Sequence, residues 1–223
     1  WIKARKFFVD YLGDAISYFK AKASDVYSQY NAIQTRIDGL IQNLSGDTNP
    51  NQNTLLTVVS HSLGTVVLSN YLYDKRDTLE PKYQLIFSNF FTMGSPIALY
   101  ANRFYNHQSE RNPFANFKPQ KVQDENGVWI NLFDEDDIVG YPIRPVNSYC
   151  KKVVTADLNV SVGSFISGGT PLSHTGYWED DEVEKIIAEK LSIDWLRVNK
   201  WDKKEKTLAR IKKYKERYDM PIS

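Results

Sequence analysis

Apolar residues recur at helical spacing through the first part of the chain. Between Ile2 and Lys20, Phe7, Tyr11, Ala15 and Phe19 form one stripe with Phe8, Leu12 and Ile16 beside it, which predicts an amphipathic helix that Gly13 weakens. A second stripe through Ile33, Ile37, Leu40, Ile41 and Leu44 predicts another helix, closed by the polar turn cluster from Gly46 to Asn53 with Pro50 in it. The period then changes. Leu55 to Ser60 is short, apolar and β-branched, the pattern of a parallel strand buried on both faces. Val66, Val67, Tyr71 and Leu72 return to helical spacing, and Leu85 to Phe87 with Phe90 and Phe91 read as the next strand. Strand, helix, strand is a βαβ unit, so the pattern predicts an α/β fold with a mostly parallel sheet flanked by helices.

Beyond the turn Met93-Gly94-Ser95-Pro96, residues 97 to 128 show little periodicity and carry Tyr100, Phe104, Tyr105, Phe114 and Phe117 among prolines, asparagines and charges. So long a connection, with that aromatic content, reads as an ordered flap over a site, the alternative being aromatics packed onto the outer surface. Trp129 to Phe133 is a further strand, delivering Asp134-Glu135-Asp136-Asp137. A last strand is expected between Lys152 and Val160 around Val153-Val154, then a loop from Ser161 to Ser173. Glu179 to Leu191 is a helix with an acidic first turn that complements its dipole. These elements group into one domain, residues 1 to 192, with a lid-like insertion at about 97 to 128. Residues 193 to 223 form a lysine- and arginine-rich helical extension, read as a helix docked by a narrow apolar stripe or as a surface for an anionic partner or membrane.

Composition alters this picture little. With 223 residues and a net charge of +1, the chain suits one α/β domain, and no basic excess argues for a nucleic-acid partner. Its one cysteine, Cys150, excludes an internal disulfide and a multi-cysteine zinc site, and leans the expected compartment towards the cytoplasm. The chain starts at Trp1 rather than methionine, so an incomplete N-terminus with strands and any export signal upstream is expected.

The candidate chemistry centres on Ser62. Thr57-Val58-Val59-Ser60-His61-Ser62-Leu63-Gly64-Thr65 is an apolar run, a turn of small residues around a serine, then a helix start, the layout of a nucleophile elbow. Ser60 and Gly64 are its small neighbours, and the Leu63 N–H would meet a developing oxyanion at the positive helix end. A serine hydroxyl needs a base, and three histidines compete. His61 adjoins Ser62 and should point away from it, a structural residue; His107 lies among polar residues of the long connection. His174, in Pro171-Leu172-Ser173-His174-Thr175-Gly176-Tyr177-Trp178, is on a late loop that can return to the elbow. An acid must orient it. Asp137 is preferred because it precedes the apolar Ile138-Val139 that would anchor the loop, with Asp134 the alternative.

These pieces together resemble the lipases and esterases of the α/β-hydrolase superfamily: Ser60-His61-Ser62-Leu63-Gly64, Met93-Gly94-Ser95-Pro96, the Trp129-Ile130-Asn131 strand leading to Asp137-Ile138-Val139, and Ser173 to Trp178. The resemblance spans about residues 54 to 192, with Ser62, Asp137 and His174 in that family's chain order. It implies hydrolysis of a small-molecule or lipid ester, without metal or organic cofactor. Two positions depart from the family: Ser60 stands at the first elbow glycine, and no strand ending in a His-Gly loop precedes Leu55. The second oxyanion donor then lies upstream of Trp1 or is lacking. In the latter case the chain would be a weakly active or inactive scaffold that acts as a binding module.

Overall fold

The computed structural model describes residue 18 and residues 29–46, 54–75, 77–104, 119–121, 125–162 and 173–220. Apart from Tyr18, which is helical and buried, the helix expected before Lys20 lies outside these residues, as does His107. Helix α1 (Gln29–Gly46) leads to strand β1 (Thr54–His61), helix α2 (Leu63–Lys75), the short helix α3 (Leu79–Tyr83) and strand β2 (Leu85–Met93). Helix α4 (Ile97–Phe104), strand β3 (Val128–Phe133), helix α5 (Ser148–Val153) and strand β4 (Ala156–Asn159) follow. A 3₁₀ turn at Ser173–Trp178 then precedes helices α6 (Asp181–Val198) and α7 (Lys204–Arg217). The four strands pair in parallel in the order β1-β2-β3-β4, so the expected α/β class with a parallel sheet holds.

Each face of the sheet has its own core. On one, Phe87, Phe90 and Trp129 pack with Tyr71, Leu72 and Cys150 of the helices between strands. On the other, Phe91, Met93, Ile130 and Leu132 meet Val183 and Ile186 of α6 and Ile211 and Tyr214 of α7. The register between β1 and β2 slips at Leu56/Thr57, so that Ser88 is skipped in the pairing, and its Oγ–H donates to the Leu56 carbonyl. That bulge places Phe87 and Phe90, three residues apart, on the same face.

Several expectations change. β1 is half-buried rather than buried on both faces, because among the described residues it is an outer strand. Val153 and Val154 are not a strand: Asn147 accepts from the Tyr149 and Cys150 N–H groups, which caps α5 through Val153 and starts β4 only at Ala156. The connection after Gly94 opens with α4 instead of running irregularly. On α1 the predicted stripe is only partly core, with Ile41 buried and Leu40 and Leu44 exposed.

The boundary drawn at 192 and 193 falls inside α6, and the basic extension is packed onto the sheet. Asp194, buried in α6, accepts from Asn89 Nδ2 at 2.7 Å, Lys190 Nζ at 2.6 Å and Arg197 Nη2 at 2.9 Å. Burial lowers the pKa of Lys190 and Asp194 opposes that shift. No described helix is long and apolar enough to cross a membrane.

Candidate active site

Loops at the carboxyl ends of the strands converge on Ser62, where open α/β sheets gather their sites. Ser62 sits between β1 and α2 with φ of +55°, a left-handed backbone that L-residues adopt at a cost. Neighbouring groups hold it there. Its N–H donates to the Met93 carbonyl at 3.0 Å, and its own carbonyl accepts from the Thr65 N–H and Oγ–H. Thr65 Oγ lies 2.8 Å from Ser95 Oγ, which in turn accepts from the Ile97 N–H and ties the elbow to α4.

The steric demand for glycine falls elsewhere than expected. A Cβ on Gly64 would meet nothing within 4 Å, whereas one on Gly94, at φ +52°, would lie 2.9 Å from Asp137 Oδ2 and 2.9 Å from the Tyr177 ring. Gly140 is equally confined, its Cβ position lying 2.7 Å from Asp137 Oδ2. The two glycines leave the space that the acid and the tyrosine occupy.

The structure brings Ser62, His174 and Asp137 into one hydrogen-bonded line. Ser62 Oγ is 2.7 Å from His174 Nε2, and His174 Nδ1 is 3.0 and 2.9 Å from the two Asp137 oxygens. With Nδ1–H donating to the carboxylate, Nε2 is the acceptor that faces the serine hydroxyl. Asp137 and His174 are buried; Ser62 is half-buried. Burial pushes the Asp137 carboxyl up, but hydrogen bonds from His174, the Val139 N–H and the Tyr177 hydroxyl, with the His174 charge, outweigh it and leave the carboxyl below its ordinary value.

Of the four acidic residues after β3, Glu135 and Asp136 are exposed and two point inward. Asp134 does not reach His174; its carboxylate accepts from the Asp136 and Val162 N–H groups and braces the loop. Val139 anchors that loop in the core, while Ile138 is exposed. Further anchoring comes from Asn131, buried in β3, whose Nδ2 donates to the Tyr141 carbonyl and to Asp157. Asp157 also accepts from the Ile143 and Arg144 N–H groups. An asparagine inside an otherwise apolar strand was the readable sign of this role, since a buried amide requires partners.

Of two other residues at the site, Tyr177 was given no role from sequence and His61 only a structural one. Tyr177 is fully buried, donates its hydroxyl proton to Asp137 Oδ2 at 2.9 Å and accepts from the Asp134 N–H. Burial and the Asp137 charge raise its pKa. His61, expected to be structural, places its Nε2 2.5 Å from the His174 carbonyl oxygen. The arrangement is suited to moving a proton from a serine hydroxyl onto an oriented imidazole. Among the described residues no group of three histidine, cysteine or acidic side chains could hold a metal ion. Cys150 is buried away from this line, and burial pushes its thiol up to about 12. No family model matches the chain, and no curated protein matches it.

Proposed function

We propose that the chain is a serine hydrolase of α/β-hydrolase type that cleaves carboxylic esters. The observation that carries this reading is the hydrogen-bonded line from Ser62 Oγ through the His174 ring to Asp137. In the first step Ser62 Oγ bonds to the acyl carbon while its proton passes to His174 Nε2. The tetrahedral intermediate collapses, the bond to the alcohol oxygen breaks, and His174 returns the proton to that alkoxide. Water then attacks the acyl-enzyme by the same route and releases the acid and free Ser62. Asp137 holds the imidazole and stabilises its charged form.

The Leu63 N–H, at the positive end of α2, is the assigned donor to the oxyanion. Ile138 and Trp178 expose apolar surface on the loops bearing Asp137 and His174, which favours an apolar acyl group. The rival reading is a catalytically weak scaffold; its motive is that β1 is an outer strand among the described residues, with no neighbour on that side to supply a second donor. An alkyl fluorophosphonate probe separates the two. The wild-type chain should label and Ser62→Ala should not; an unlabelled folded wild type, or equal labelling of the variant, removes the hydrolase assignment.

A further inference from the structure

We propose that His61 is a positioning residue: its Nε2–H, donated to the His174 carbonyl oxygen, fastens the base to the strand that carries the nucleophile. The role rests on the hydrolase reading above. A carbonyl oxygen only accepts, so at 2.5 Å the proton belongs to His61 Nε2, which sets the tautomer of this ring. His61 ends β1 and Ser62 follows it directly. Two consecutive residues therefore grip opposite ends of His174, one its backbone carbonyl and the other its ring nitrogen at 2.7 Å.

Such a tie matters because His174 stands in a short 3₁₀ turn, Ser173–Trp178, and not at the end of a strand of the sheet. The carboxylate of Asp137 fixes the tilt of the imidazole but comes from a different loop, and it leaves the separation of the His174 backbone from β1 undetermined. The bond from His61 sets that separation, on which proton transfer from Ser62 depends; a displacement of about 1 Å costs roughly 10²-fold in rate.

The His61 ring also packs against the rings of His174 at 4.7 Å, Tyr177 at 5.7 Å and Trp178 at 6.2 Å. Burial and the neighbouring His174 both lower the His61 pKa, against the His174 carbonyl and Asp137, which raise it. The ring is accordingly neutral at neutral pH. It adds no second positive charge when His174 takes the serine proton.

Two substitutions separate the hydrogen bond from the packing. His61→Phe keeps a ring and removes the donor; His61→Gln removes the ring and places an amide N–H the same number of bonds from Cα. With second-order labelling by the fluorophosphonate as readout and thermal unfolding as the folding control, His61→Phe should label about ten- to a hundredfold more slowly. His61→Gln should recover most of that loss. Labelling of both variants at the wild-type rate, or equal slowing of both, would overturn the role. Imidazole ¹⁵N NMR of the wild type covers the case in which a variant fails to fold: an Nε2–H tautomer at His61 is expected, and an Nδ1–H tautomer sinks the proposal. An unlabelled wild type removes the hydrolase reading and this role with it, whereas a labelled wild type with unaffected variants removes this role alone.

Discussion

Ser62 keeps its left-handed backbone because Met93 and Thr65 occupy its main-chain groups on both sides, and what its hydroxyl then meets depends on single atoms of His174 and Asp137. Asp137→Asn preserves the shape but replaces an acceptor with a donor opposite His174 Nδ1 and favours the wrong tautomer. Hydrolysis of a p-nitrophenyl ester should fall about 10⁴-fold, measured as kcat/KM, with little change in unfolding temperature. His61 also makes stability depend on pH. Folding lowers its pKa, so below the ordinary value of 6.5 the unfolded chain binds more protons than the folded one. The stability gained by keeping the ring neutral is complete above pH 6.5 and declines as pH falls from there towards the folded value. Unfolding temperatures followed from pH 7.5 to 5 should drop more steeply for the wild type than for His61→Gln. Asp137, whose pKa is also lowered, acts in a separate window: its contribution is lost only as pH falls below the ordinary 3.8.

Elements carry these residues, and their ends decide where the site forms. Gly94, at the turn after β2, combines a positive φ with a Cβ position already filled by Asp137 and Tyr177. Gly94→Ala should therefore cost about 1–3 kcal/mol of stability and most of the proposed esterase activity, read by urea unfolding and turnover. Gly64→Ala is its contrast: the space is open, the site lies in the first turn of α2, and stability should rise by up to about 1 kcal/mol. The same elbow thus contains a glycine that reads as required and is not, while the required one stands at the turn after the neighbouring strand. At α5, Asn147→Ala removes the side chain that accepts from the Tyr149 and Cys150 N–H groups, and unfolding free energy should fall by about 1 kcal/mol.

Across the whole molecule, the parallel sheet is clamped between α1 to α5 on one face and α6 with α7 on the other, and Asp194 is the polar bolt of the second layer. Asp194→Ala would strand Lys190 and Arg197 beside Asn89 in the interior; chemical unfolding should show a loss of about 3–5 kcal/mol. Much of this architecture was legible in the chain. The change from period 3.6 to short β-branched runs announced the βαβ unit, because burial of one face imposes that spacing on any sequence that folds this way. Ser62, His174 and Asp137 were legible as residue types at loop positions. The docking of the basic extension by a narrow apolar stripe was legible too and holds through Ile211 and Tyr214, but local chemistry alone could not divide Val153-Val154 between helix and strand, since both are apolar and the decision lay with the Asn147 cap. Still less could it show that Asp134 also turns inward to brace the loop, that Tyr177 shares the Asp137 carboxylate with His174, or that His61 reaches the backbone of a residue 113 positions away. Periodicity is written by short-range burial and so stands in the sequence. Contacts between loops depend on how separately encoded strands register side by side, and only the assembled sheet decides them.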